Sequence, residues 1–364
     1  MTSLYAIRGR GAAFNPPNRF EPVECIPDGD TLDADLAEEE LPLPRTQFLR
    51  DTTRTILARN DSPDVGFNTS INPYRGCEHG CIYCFARPFH EYLGFSAGVD
   101  FETKILVKED AHVLLRAELM KKSYTPEMIF MSGVTDCYQP VERKLGITRR
   151  CLQVLAEFRN PVGIITKNHL VTRDVDILAD MASWGGASVN LSITTLDEKL
   201  QRVMEPRTSI PKRRLMAVEK LAKAGVPVGI MVAPIIPGIT DEEMGDILKA
   251  ARDAGAQWAG YVVLRLPHAV APLFEDWLTH HFPDRKDKVL NRVRSMRKGK
   301  LYDAQWGERG TGTGEMADQI GALFKQARRK AGYVEDAARR YTMTAEHFRR
   351  PTDRGDQLRL FDMA

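Results

Sequence analysis

Cys77-Glu-His-Gly-Cys81-Ile-Tyr-Cys84 places three of the chain's six cysteines within eight residues, spaced C-x3-C-x2-C. Thiolates are the ligands that soft iron and iron–sulfur clusters select, and sulfurs gathered in one loop can cap a face of a four-iron cube. Three ligands on four irons leave one iron open. A structural zinc site asks instead for four ligands in paired motifs, and no second C-x2-C pair exists here. A chance group of packed thiols is the other alternative. Gly76 and Gly80 bracket the loop and polar residues fill it, which is unlike a core segment.

Working outward, 364 residues suffice for one large α/β domain with attachments, or for two domains. A hydrophobic share of 43% and a charged share of 27% are those of an ordinary globular protein. Six cysteines are too few for a disulfide scaffold, so a reducing cytoplasm is the expected compartment. The N-terminus has no signal-peptide core and no run approaches a membrane span, so no membrane partner is expected. Net charge is only +2, yet residues 21–40 hold nine acids and no base, whereas 285–300 hold eight bases and one acid. Residues 325–350 add eight bases against three acids, an asymmetry that hints at an anionic partner for the C-terminal third.

Residues 1–60 read as a partly ordered extension held by apolar anchors such as Phe14, Phe20 and Phe48, with Cys25 an incidental thiol or a cluster ligand. Between 61 and 284 strands alternate with amphipathic helices, the signature of a parallel sheet. The expected strands are Thr69–Asn72, Lys104–Val107, Met128–Ser132, Val162–Thr166, Val189–Thr194, Val228–Pro234 and Tyr261–Leu266. Right-handed crossovers curl such a sheet into an open barrel of about six βα units, with its site at the carboxyl ends of the strands. Residues 285–350 read as a basic helical region and 351–364 as a flexible tail.

The cysteine spacing, the aromatic Tyr83 before the third cysteine, and Asn72-Pro-Tyr-Arg-Gly-Cys77, Thr135-Asp-Cys-Tyr-Gln-Pro140, Thr166-Lys-Asn168 and Ala233-Pro-Ile-Ile-Pro-Gly238 together resemble the radical SAM superfamily. Within it they resemble an uncharacterised group related to spore photoproduct lyase, a DNA-repair enzyme. The resemblance implies an α/β partial (β/α)6 TIM-type barrel. It implies a [4Fe–4S] cluster on Cys77, Cys81 and Cys84, with S-adenosyl-L-methionine chelated to the open iron. Ser132, Gly133, Thr135 and Asp136 would then meet the methionine amino group, Lys167 the carboxylate, and Ser192 the ribose. Ala233, Pro234, Tyr83 and Phe85 would form the adenine wall. The reduced cluster would cleave the cofactor to a 5′-deoxyadenosyl radical, with electrons from a reductant such as flavodoxin or ferredoxin.

This chain departs from the lyase where hydrogen is returned. The lyase's donor cysteine lies just before the Thr/Ser-Asp pair, where this chain has Gly133 or its neighbour. Cys137, with Tyr138 beside it, is the candidate catalytic residue from a shifted position; the alternative is a packed neutral thiol. Phe85 stands where the lyase has a second tyrosine. Cys151 is expected in the core, and His90-Glu91-Tyr92 either at the substrate mouth or in a surface turn. Glu205-Pro-Arg207 and Arg213-Arg214 are anion-binding or salt-bridged.

The two basic helices could track a phosphate backbone. The Gly307–Glu315 loop lacks the Gly-Lys-Ser/Thr of a P-loop. Gln357-Leu-Arg-Leu-Phe361 resembles the short peptides with which bacterial repair proteins bind the sliding clamp. These features favour an enzyme of DNA repair or modification. The alternatives are a radical SAM modification of tRNA, protein or a small metabolite, and a non-catalytic metal-binding adaptor of nucleic acid or clamp.

Overall fold

The run Val162-Gly-Ile-Ile-Thr166 is buried at every position but Ile165, as a strand covered on both faces should be. In the computed structural model, which describes residues 7, 9–21, 44–334 and 343–351, it is the centre of the main sheet. Among the described residues the strands are β1 Gln47–Arg50, β2 Leu57–Arg59, β3 Thr69–Ile71, β4 Tyr74–Arg75, β5 Lys104–Val107, β6 Ile129–Met131, β7 Val162–Thr166, β8 Ala187–Ser192, β9 Val228–Ile235 and β10 Trp258–Val263. The seven-stranded sheet runs β10-β9-β8-β7-β6-β3-β2. Its neighbours from β3 to β10 are parallel, and β2 pairs antiparallel with β3 at the edge. Six parallel strands give the expected partial barrel, open between β2 and β10.

One expected barrel strand lies elsewhere. β5 pairs with β1 and β4 in a separate three-stranded sheet. Its alternating burial is that of a strand covered on one face, which a reading by strand–helix rhythm does not distinguish from a barrel strand. The remaining helices follow their strands: Ala111–Met120, Ile147–Glu157, Val175–Ser183, Pro211–Lys223, Met244–Asp253 and Val270–His281. The apolar faces of the first five join the main core, with Leu152, Leu178, Leu221 and Leu248 fully buried, and that of Val270–His281 joins a second core with Leu200, Met204 and Leu290. Gly225 and Gly255 end two of these helices at φ of 78° and 104°, a backbone that glycine adopts without strain.

The N-terminal anchors differ from expectation. Phe14, Phe20 and Phe48 are 38%, 50% and 49% exposed, and the arm is held by hydrogen bonds of its backbone and of Arg10 and Asn18 instead. Gly11 and Ala12 donate their N–H groups to the two carboxylate oxygens of Glu102, each at 2.9 Å. At the other end, Glu315–Lys330 packs Ile320 and Phe324 on the core, with Phe324 4.6 Å from Tyr261. Arg297, in the basic stretch, is 1% exposed and donates to the carbonyls of Val263, Leu264, Glu308 and Arg309. It is a buttress rather than a surface charge for phosphate. Among the described residues no helix is long and apolar enough to cross a membrane. Cys25 and Gln357–Phe361 lie outside the described residues.

Candidate active site

The cysteine loop sits at the carboxyl end of β3, over the barrel. Gly76 opens it at φ 78°, with no room for a side chain: a Cβ there would stand 3.0 Å from the carbonyls of Phe101 and Lys104. Below the loop Arg87 is fully buried and donates from Nε to the Cys81 carbonyl at 3.0 Å, while Nη2 reaches Glu102. Glu102 thus joins the loop's support to the N-terminal arm. A buried cation with a carboxylate and backbone carbonyls as partners is a rigid post for a loop rich in glycine.

Above the loop lies a cavity of about 230 Å³. Cys77, Cys81 and Cys84 line it together with Tyr83, Phe85, Ser132, Asp136, Lys167, Ser192, Ala233 and Pro234. The cysteine loop and the ends of four strands, β6 to β9, therefore meet at one place. Burial pushes all three thiols above their ordinary pKa. Thiolates there require a compensating cation, which bound iron would supply. Among the described residues no three His, Cys, Asp or Glu side chains converge on a single ion. A cube takes one thiolate per iron at separate corners and asks for no such convergence. Three cysteine thiols on one loop around a cavity are a donor set that would fit such a cluster.

The polar wall is built by hydrogen bonds. Asp136 accepts from Thr166 Oγ1 at 2.8 Å, from the Lys167 N–H at 2.8 Å and from the Tyr138 N–H at 2.8 Å. His79 Nδ1 stands 3.4 Å from its other side. Burial would raise this carboxyl, but His79 and the backbone donors outweigh it and hold the pKa below the usual range. Ser132 takes φ 73°, left-handed for a residue with a side chain, and its Oγ accepts from the Cys137 N–H at 2.8 Å. Lys167 Nζ lies 3.1 Å from Glu205, 3.1 Å from Thr194 Oγ1 and 3.0 Å from the Ala233 carbonyl. Burial, then the nearby Arg214, lower its pKa to about 7. Glu205 has no exposure and also takes Arg214 and the Tyr83 hydroxyl, so the salt-bridge reading of that stretch fits.

Four of the expected residues are not on this wall. Cys137 and Tyr138 are fully buried in the main core, and the Tyr138 hydroxyl donates to Asp174 at 3.1 Å. A hydrogen donor must face its radical, and neither side chain lines the cavity. Thr135 commits its hydroxyl to the Tyr74 carbonyl at 2.7 Å, and Gly133 faces an outer cavity. His79 and Arg265 line the thiol cavity and were not foreseen. Arg265 follows β10 by two residues, so the strand-end rule could have found it. His79 sits inside the cysteine motif, and nothing in its spacing marked it. Cys151 is buried in the core as expected, His90 and Glu91 are buried, and Tyr92 is 67% exposed.

A family model described as the Radical SAM superfamily matches residues 71–251. An uncharacterized protein of Mycobacterium tuberculosis (strain ATCC 25618 / H37Rv) is 36% identical over 238 residues, 65% of this chain and 69% of that relative. The chain belongs to the radical SAM superfamily. A second relative, an uncharacterized protein of Methanocaldococcus jannaschii, is 30% identical over 184 residues, 50% of this chain and 66% of that one. The solved structure of spore photoproduct lyase complexed with dinucleoside spore photoproduct superposes with TM-score 0.57 at 16% identity, covering 78% of this chain and 79% of that one. That likeness is one of fold, and it agrees with the α/β partial barrel.

Proposed function

We propose that this chain is a radical SAM enzyme acting on nucleic acid, in repair or modification of DNA. Cys77, Cys81 and Cys84 would hold a [4Fe–4S] cluster. Asp136 and Ser132 would face the amino group of S-adenosyl-L-methionine, Lys167 its carboxylate and Ser192 its ribose, with Ala233, Pro234, Tyr83 and Phe85 against adenine. Together the two cofactors supply, when reduced, a 5′-deoxyadenosyl radical. The chain's own part is placement. Glu205 and Thr194 hold Lys167, the Asp136 carboxylate is kept ionised by its donors, and the apolar Ile165, Val262 and Leu264 on the cavity wall exclude water.

The observation that carries the substrate reading is the barrel mouth. An outer cavity of about 420 Å³ adjoins the thiol cavity across Phe85, Val134 and Arg265. Arginines 19, 59, 265 and 309 and the rings of Phe67, Phe89, Tyr92 and Tyr302 line it. Guanidinium groups with ring faces suit a polymer of phosphates and bases. The lyase structure with a bound dinucleoside lends support from a shared fold. An electron donor of the flavodoxin or ferredoxin kind completes the reading. Dithionite-reduced, anaerobic holoprotein should release 5′-deoxyadenosine, and Cys81→Ala should release none. Deuterium carried from a labelled DNA strand into 5′-deoxyadenosine tests the substrate; label arriving only from tRNA, peptide or metabolite pools would overturn it.

A further inference from the structure

The arginines of the mouth divide into two kinds. Arg19 pairs with Glu91 at 2.7 Å, and Arg59 and Arg309 pair with Glu127 and Asp64. Among the described residues Arg265 has neither a carboxylate nor a hydrogen-bond acceptor. Its guanidinium lies 4.3 Å from the centroid of the Phe85 ring, and it lines both cavities. A partly buried cation without a counter-ion costs free energy that the folded chain does not recover on its own. Burial, then the charge of Arg309, lower its pKa accordingly. Stacking on Phe85 holds the fork in place with its N–H edges unused, which is the geometry a tetrahedral or planar anion accepts.

The space beside it is of ligand size. At about 420 Å³ the outer cavity lies within the range of small-ligand pockets, roughly 300–1,000 Å³. Phe89 and Tyr92 are 50% and 67% exposed on its wall, and Tyr92 stacks on Phe20 at 4.6 Å. One unpaired guanidinium next to exposed ring faces matches one nucleotide unit, its phosphate on the charge and its base on the rings. We propose that Arg265 is a strand-binding residue that holds a phosphodiester of a nucleic-acid strand in the outer cavity, and so fixes the register of the strand at the thiol cavity. This rests on the nucleic-acid reading above and adds the residue that holds the strand.

The test uses anaerobic holoprotein and a short fluorescein-labelled single-stranded DNA, followed by anisotropy at several salt concentrations. Arg265→Gln should weaken binding about tenfold, and Arg265→Lys should restore part of it. The slope of log K against log salt should fall by about 0.7, one phosphate contact on a single strand. A strand with one methylphosphonate at the contacted position should bind wild type more weakly and bind Arg265→Gln no differently. Because Arg265 also lines the thiol cavity and stacks on Phe85, S-adenosyl-L-methionine affinity, by equilibrium dialysis, should fall by much less than strand affinity. Unaltered strand affinity in Arg265→Gln overturns the assignment. So does a loss confined to S-adenosyl-L-methionine, which would make Arg265 a holder of the cofactor carboxylate. Full displacement by equimolar thymidine monophosphate would replace the strand by a free nucleotide. If wild type binds no DNA or RNA strand at low salt, the nucleic-acid reading itself fails, and this assignment with it.

Discussion

Glu205 is where the charges of the inner cavity balance. It has no exposure and serves Lys167, Arg214, Thr194 and Tyr83 at once. Taking away one partner of a buried ion pair leaves the others uncompensated. Glu205→Gln should therefore lower stability by about 3 kcal/mol, read as a fall in the urea midpoint. His90 gives a second prediction, on pH. Burial lowers its pKa from 6.5 to about 4, so the unfolded chain takes up a proton first as pH falls. Stability is full above the unfolded value and is lost progressively down to about pH 4. Between pH 7 and pH 5 the loss is about 2 kcal/mol, and His90→Gln should flatten that slope in urea titrations. The strand-end rule located Asp136, Lys167 and Ser192 on the cavity because each follows a parallel strand. It misplaced Cys137 and Tyr138 because the turn after Ser132 reverses direction. The Cys137 N–H bonds back to Ser132 Oγ and that of Tyr138 to Asp136, which sends both side chains into the core. Spacing alone carries no such sign.

Among elements, the N-terminal arm and the cysteine loop form one unit. A Cβ on Gly11 would stand 1.8 Å from the Gly80 carbonyl oxygen, backbone that cannot step aside. Gly11→Val should lift the arm off Glu102 and loosen the loop. The expected outcome is lower iron content after reconstitution, with the far-UV circular dichroism of the barrel retained. The parallel strands were legible from their alternation with amphipathic helices, whereas this clasp was not. It joins residues about ninety positions apart through backbone N–H groups, and a glycine's missing side chain leaves no trace in periodicity. The basic stretch 285–300 misled in the same way, since composition does not separate Arg294, which faces Asn291, from the buried Arg297. Arg297→Glu should unfold the region around β10, lowering the thermal midpoint by several degrees. Arg294→Glu should leave the midpoint in place.

At the scale of the molecule, the sheet is a barrel that does not close on itself. β2 and β10 are its free edges, and two loops bridge them at the mouth. Gly310 accepts from the N–H of Val263 on β10 at 2.8 Å, and on the far side the Gly307 N–H donates to Asp64 at 2.5 Å. Arg309 adds its pairing with Asp64 and Ser62. Arg297 and Lys298 hold the loop from the β10 side, but its far side rests on Asp64 and Ser62, so Arg309→Ala should speed limited proteolysis within residues 307–314 while the core helices stay protected. The family's fold could be read from the sequence because strand and helix patterns are local. The bridge could not, because its bonds to Asp64 and Ser62 join residues more than two hundred positions apart. Its consequence concerns polymers. A closed barrel would have to be threaded from a free end, whereas a sheet left open between β2 and β10 would let the proposed strand enter from the side.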